Sequence, residues 1–205
     1  MRPLRVVVIG GIGSGKSEVG RMLAERGFAV LDADHLGHEV LAAGHPVAAQ
    51  VAERWPEAVV DGKVDRGLLG RIVFDDPSAL AELEALTHPA IRRLIERWAT
   101  GAGARPAAVQ IPLLKELADP SWVRVAVDAP GESRRRRLRQ RGMSDRDIDA
   151  RMVAQPSRED WLSRADLVLD NSGTKRSLAA EIDRVLGSLT AGPTTTSHQP
   201  PATSH

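Results

Sequence analysis

Val6-Val7-Val8-Ile9-Gly10-Gly11-Ile12-Gly13-Ser14-Gly15-Lys16-Ser17 is the stretch from which the rest of the chain can be read. Four β-branched residues bounded by glycine spell a buried parallel strand, and Gly10 to Ser17 then match the phosphate-loop spacing G-x-x-x-x-G-K-[ST]. The residue types follow from mechanics. Gly10, Gly11, Gly13 and Gly15 carry no Cβ, so the backbone can curl until its N–H groups converge on phosphate oxygens. Lys16 adds a mobile cation for the outer phosphates. The Ser17 hydroxyl is placed to ligate Mg²⁺ where a helix begins, and the helix dipole there also favours anions. The expected phosphate-binding set is Gly11, Ile12, Gly13, Ser14, Gly15, Lys16 and Ser17. Val19, Met22 and Leu23 then recur at helical spacing until Gly27 closes the pattern.

Downstream, Phe28-Ala29-Val30-Leu31-Asp32-Ala33-Asp34 is a short apolar strand ending in two carboxylates. The carboxyl ends of strands in an open parallel sheet border the ligand crevice, so Asp32 and Asp34 are expected beside the loop. Residues i and i+2 share a side of an extended strand; one carboxylate can then serve as general base and the other hold Mg²⁺ or a ligand hydroxyl. Alternatively, one of them caps the helix that begins near His35.

From His35 to about Ala104 the pattern is mostly helical, with no second phosphate motif. Leu36, Val40 and Leu41 open one helix, and Pro46, Val47 and Val51 another. A tight turn at Asp61-Gly62-Lys63-Val64-Asp65 leads to Leu68, Leu69 and Ile72. About seventy residues between two strands, where most connections span a few, mark a substrate-binding region. Pro89 is expected in the first turn of the helix that carries Ile91, Leu94, Ile95 and Trp98. His88 before it either touches substrate or satisfies local backbone groups.

Strands return at Ala107 to Pro112, Val123 to Asp128 and Leu167 to Asn171. Between the last two lie Arg134, Arg135, Arg136, Arg137, Arg139, Arg141, Arg146, Arg151 and Arg158, interleaved with acids. A charge run is most often a solvated helical face, and Arg134 and Arg146 are read that way. In a phosphate-loop protein, an arginine-rich helical pair after a late strand is also the expected form of a lid over polyphosphate. Arg141, beside the break at Gly142, is the first candidate to reach the phosphates. Leu178, Ile182, Val185, Leu186 and Leu189 mark a final amphipathic helix, and the apolar-poor run beyond about Thr190 is expected to be disordered.

The whole chain narrows the classes. At 205 residues it suits one α/β core with small insertions. Lys plus Arg number 28 against 27 Asp plus Glu, which gives no reason to expect a nucleic-acid or membrane partner. Cysteine is absent, so disulfides, thiolate metal sites and a cysteine nucleophile are excluded. With no apolar N-terminal stretch long enough for a signal peptide or a span, the cytoplasm is the expected location.

Taken in order, these motifs resemble the dephospho-coenzyme A kinase family over residues 4–189. The loop alone is shared by many kinases and GTPases. The ordered set is specific: the loop; Asp32-Ala33-Asp34; Asp61-Gly62 through Asp65-Arg66 with Val73-Phe74; His88-Pro89; Pro112-Leu113-Leu114 with Glu116; and Ala165-Asp166 to Asn171-Ser172-Gly173. The resemblance implies an α/β P-loop NTPase fold, three layers α/β/α around a parallel five-stranded sheet. Residues 1–34, 105–130 and 165–189 would form the nucleotide-binding core, 35–104 a helical CoA-binding insertion, 131–164 a helical lid and 190–205 a disordered tail.

It further implies transfer of the ATP γ-phosphoryl group to the ribose 3′-hydroxyl of dephospho-CoA, giving CoA and ADP with Mg²⁺ as cofactor. Asp34 would accept the hydroxyl proton, Lys16 and the loop amides would hold the moving phosphate, Ser17 would bind Mg²⁺ and Arg141 would neutralise charge. Asp32, Asp34, His88 and Leu113 would face the substrate. The expected partners are ATP and dephospho-CoA, without nucleic acid or membrane, on a monomer or weak homo-oligomer. Three departures stand out: Lys115 replaces an apolar or aromatic residue, Pro156 follows Gln155 inside a lid helix, and Trp161 takes a position usually basic.

A kinase acting on another nucleotide or nucleoside would share the fold. A GTP-dependent switch would carry Asn-Lys-x-Asp, which does not occur here. A DNA-acting ATPase would show a basic groove outside the lid and a hydrophobic run ending in Asp, whereas Val109 to Ile111 ends in Pro112.

Overall fold

The chain runs β1 (Arg5–Ile9), α1 (Lys16–Glu25), β2 (Ala29–Asp32), α2 (Asp34–Val40), α3 (Pro46–Arg54), β3 (Val59–Val60), β4 (Lys63–Val64), α4 (Arg66–Phe74) and α5 (Pro77–Gly101). It continues through β5 (Ala107–Gln110), β6 (Val123–Asp128), α6 (Gly131–Gln140), α7 (Asp145–Val153), α8 (Arg158–Ser163), β7 (Leu167–Asp170) and α9 (Lys175–Thr190). The computed structural model describes residues 3–74, 76–111 and 118–190. Leu113, Lys115 and the expected disordered tail therefore lie outside the described residues, apart from Thr190, which ends α9.

Among the described residues β2, β5, β1, β6 and β7 form, in that order, a five-stranded sheet. Every neighbouring pair is parallel. Val6 to Ile9 are all buried, as a central strand covered on both faces requires. Alternate side chains of β1 enter opposite layers. Val6 and Val8 pack with Val19, Leu23, Leu178 and Ile182 of α1 and α9. Val7 and Ile9 pack with Leu36, Val51, Trp55 and Ile95 of the insertion and with Trp161 of α8. β1 also lies where the strand order turns back on itself, with β5 on one side and β6 on the other, which is where an open parallel sheet leaves its crevice.

Two local expectations are corrected and a third, the turn at Asp61-Gly62, is sharpened. α5 does not begin at Pro89: it is a continuous helix of 25 residues with Pro89 inside it. Its start signal is Asp76-Pro77, where the Asp76 carboxylate accepts from the N–H groups of Ser78 and Ala79 and Pro77 fills the first helical position. The buried face of Ala79, Thr87, Ala90, Ile91, Ile95 and Ala99 carries the helix through the backbone bond that Pro89 cannot make. The turn at Asp61-Gly62 joins β3 to β4 in a hairpin, both residues at positive φ (50° and 71°). Finally, the arginine-rich segment folds as three helices, α6 to α8, and Pro156 lies in the link between α7 and α8. Ser157, next in sequence, caps α8 in a reciprocal pair with Asp160, which fixes where that helix starts. Trp161 is buried in the core.

Candidate active site

The loop between β1 and α1 is shaped by backbone that only glycine adopts easily. Gly15 precedes α1 at φ 110°, and a Cβ there would stand 2.1 Å from Asn171 Nδ2. The loop carbonyls are held from one side. Arg134 Nε donates to Ile12 O at 2.8 Å, and Arg137 Nη1 donates to Gly13 O and Ser14 O at 3.2 and 2.9 Å. Asn171 Nδ2 donates to Ser14 O at 2.7 Å, while Arg137 Nη2 donates to Asn171 O at 2.8 Å. In a trans peptide the N–H points opposite to the preceding C=O, so this grip turns the amides of Gly13 and Gly15 away from the arginines. The amide of Ile12 donates to Gln155 Oε1 at 2.7 Å.

Lys16, first residue of α1, reaches back so that Nζ donates to Gly10 O at 2.7 Å and Gly11 O at 3.5 Å. Burial lowers its pKa to about 8; Asp34 and Asp32 oppose that shift, and Arg134 and Arg141 add to it. Asp34 is the first residue of α2. Asp32 Oδ1 accepts the Asp34 N–H at 3.1 Å, so Asp32 ties down the helix start and the Asp34 side chain caps nothing. Loss of solvation pushes the Asp34 carboxyl above its ordinary value; the neighbouring Asp32 charge adds to this, against the pull of Lys16, His35 and His38. Ser17 is exposed in the first turn of α1.

The other expected residues fall as follows. Arg141 ends α6, exposed, beside Gly142 at φ 82°, with its charge felt at Lys16 and Arg137. Arg146 is exposed. Arg134 is not on a solvated face: its guanidinium grips the loop, and burial lowers its pKa. α6 is anchored by its fourth residue against the loop, which its net charge conceals. His88 lies mid-way along α5, half-buried. Leu113 lies outside the described residues.

Four residues that shape the loop, Arg134, Arg137, Gln155 and Asn171, were not assigned to it from sequence. The available signals were the spacing of Arg134 and Arg137, one helical turn apart just after β6, and the place of Asn171 at the carboxyl end of β7. Nothing local marks Gln155. Away from the loop, α3 and α5 border a groove of about 640 Å³ that combines Val47, Leu86 and Leu94 with His45, Arg93 and Arg97.

A family model described as dephospho-CoA kinase matches residues 4–177. A dephospho-CoA kinase of Streptomyces avermitilis is 42% identical over 96% of this chain and 97% of its own. A solved Thermus thermophilus protein superimposes with a TM-score of 0.78 at 37% identity, over 92% of this chain and 99% of that one. A dephospho-CoA kinase from Campylobacter jejuni gives a TM-score of 0.57 at 26% identity, over 91% and 97%.

Proposed function

The chain belongs to the dephospho-CoA kinase family, and we propose that ATP is its phosphoryl donor and that the residues around Lys16 divide the work of phosphorylating dephospho-CoA, the final step of CoA biosynthesis. One observation carries the division: where β1 and β2 end, Lys16 Nζ lies on Gly10 O and Asp32 holds the Asp34 N–H, close enough that the charges of Lys16 and Asp34 bear on one another. Asp34 is the general base. Its raised pKa makes it a stronger proton acceptor than an ordinary carboxylate. It takes the proton of the ribose 3′-hydroxyl as that oxygen bonds to the γ-phosphorus and the bond to the bridging oxygen breaks, leaving CoA and ADP.

The loop suits a nucleoside triphosphate with Mg²⁺. Its carbonyls are held to one side by Arg134, Arg137 and Asn171, and its lysine has a pKa that an anion would raise again. Ser17, exposed in the first turn of α1, is the residue that would hold the cation beside the phosphates. Bound there, Mg²⁺ supplies charge neutralisation at the phosphates. Lys16 exchanges the Gly10 carbonyl for phosphate oxygens, and Arg141 moves in from the end of α6 to neutralise the transferring group. Residues 131–164 act as the lid. Residues 35–104 take the rest of dephospho-CoA, with the groove that carries Arg93 and Arg97 suited to its anionic and apolar parts. No helix of the described residues is long and apolar enough to cross a membrane. The location that goes with this reading is the cytoplasm, where CoA would be made, and the state a monomer or weak homo-oligomer.

The test is incubation of the purified protein with ATP, Mg²⁺ and dephospho-CoA, with products read by mass, beside parallel reactions offering adenosine or AMP as acceptor. CoA and ADP in equal amounts are expected, with no product from the other acceptors. Phosphorylation of adenosine or AMP in preference to dephospho-CoA would overturn the reading.

A further inference from the structure

Ile12 is held at both ends of its backbone by the arginine-rich segment. Arg134 Nε takes its carbonyl at 2.8 Å and Gln155 Oε1 takes its amide at 2.7 Å. The two contacts differ in kind. Arg134 binds the carbonyl side of the loop, whereas Gln155 binds an N–H within the set that the loop spacing assigns to phosphate. The acceptor must be Oε1, because the carboxamide nitrogen cannot receive a hydrogen bond.

Gln155 is not needed to finish a helix. α7 ends at Val153, and α8 starts at Arg158 behind its own Ser157–Asp160 cap. Pro156 follows immediately, which disfavours helical backbone at Gln155, and Gln155 lies at a bend of the link, from which its side chain reaches the Ile12 amide.

We propose that Gln155 is a placeholder: its side-chain oxygen and a phosphoryl oxygen of the nucleotide compete for the Ile12 amide, so that nucleotide binding releases the α7–α8 link from the loop. The exchange runs downhill for the nucleotide, since a charge-assisted hydrogen bond is roughly twice as strong as a neutral one. It also gives the lid a reason to respond to phosphate in particular: the contact that seats the link is the one a phosphate removes. Gln155 is thus a positioning residue that acts through the backbone of Ile12. The inference rests on the reading of the loop as the ATP site.

Calorimetric titration of Mg-ATP into the wild type, Gln155→Ala, Gln155→Glu and Lys16→Ala tests it. Removing the competitor in Gln155→Ala should tighten ATP binding by roughly 2- to 10-fold, the worth of one ordinary hydrogen bond. Gln155→Glu keeps the shape but adds a charge that binds the amide harder and repels phosphate, so affinity should fall more than about tenfold near neutral pH and recover as the new carboxyl is protonated. A residue that only supports the fold would move both variants the same way and show no such pH dependence. Weaker or unchanged ATP binding by Gln155→Ala, with Lys16→Ala impaired as expected, overturns the placeholder alone. ATP binding unaffected by Lys16→Ala would bring down the site reading and the placeholder with it.

Discussion

At the residue scale, Lys16 and Asp34 are two groups whose surroundings shift them toward the tasks proposed for them. Lys16 has a pKa of about 8 because its ammonium is buried against loop carbonyls. A polyphosphate at the loop stabilises the charged form, so the bound pKa must lie above the free one. In the free protein the proton leaves as pH rises through about 8, while in the complex it stays. ATP binding should therefore take up protons near pH 9 but hardly any near pH 6, with affinity falling as pH rises past about 8. Calorimetry in buffers of different ionisation enthalpy reads this directly; heats independent of buffer at about pH 9 would show that Lys16 is not at the phosphates. Lys16 and Asp34 were legible because each follows a strand at a fixed spacing. Asp32 was less so: capping of the helix near His35 was the alternative to a crevice role, and that Asp32 ties the start of α2 depends on the path of the chain after β2.

At the element scale, α6 shows what a composition-level reading misses. Its arginines look alike in sequence, yet Arg137 spans Gly13 O, Ser14 O and Asn171 O while Arg141 projects into solvent at the helix end. Which arginines face the loop depends on how α6 docks after β6, a tertiary fact. The two should fail differently. Arg137→Ala removes the donor to Gly13 O and to Asn171 O, while Ser14 O keeps Asn171 Nδ2, so it should cost about 2 kcal/mol of stability and raise KM for ATP. Arg141→Ala removes only a charge at the crevice, so it should lower kcat by about tenfold or more with the melting temperature unchanged. Thermal melts and steady-state kinetics on both variants check this; a destabilised Arg141→Ala with normal kcat would reverse the assignment. The same dependence on context explains α5, where His88-Pro89 imitates a helix start but Asp76-Pro77 supplies the real one. It also explains β3 and β4, whose two residues each are too short to show an alternating pattern.

At the scale of the molecule, the parallel sheet was the most legible part, because its strands are short apolar runs between glycines, prolines and acids. What the sequence did not show is that the helices after β2 share one core with the sheet: Trp55, Leu69 and Ile95 belong to the same buried cluster as Val7, Ile9 and Trp161. That continuity brings together the start of α2, the phosphate loop and the link after α7, so Asp34, Lys16 and Gln155 are set by a single packed body. In the proposed mechanism a hydroxyl proton passes to Asp34 while the loop holds the phosphoryl group. Its most direct test is single-turnover phosphorylation of dephospho-CoA by Asp34→Asn with ATP saturating. A rate about 10²- to 10⁴-fold below wild type is expected, with ATP affinity retained. A rate within a few-fold of wild type would contradict that mechanism.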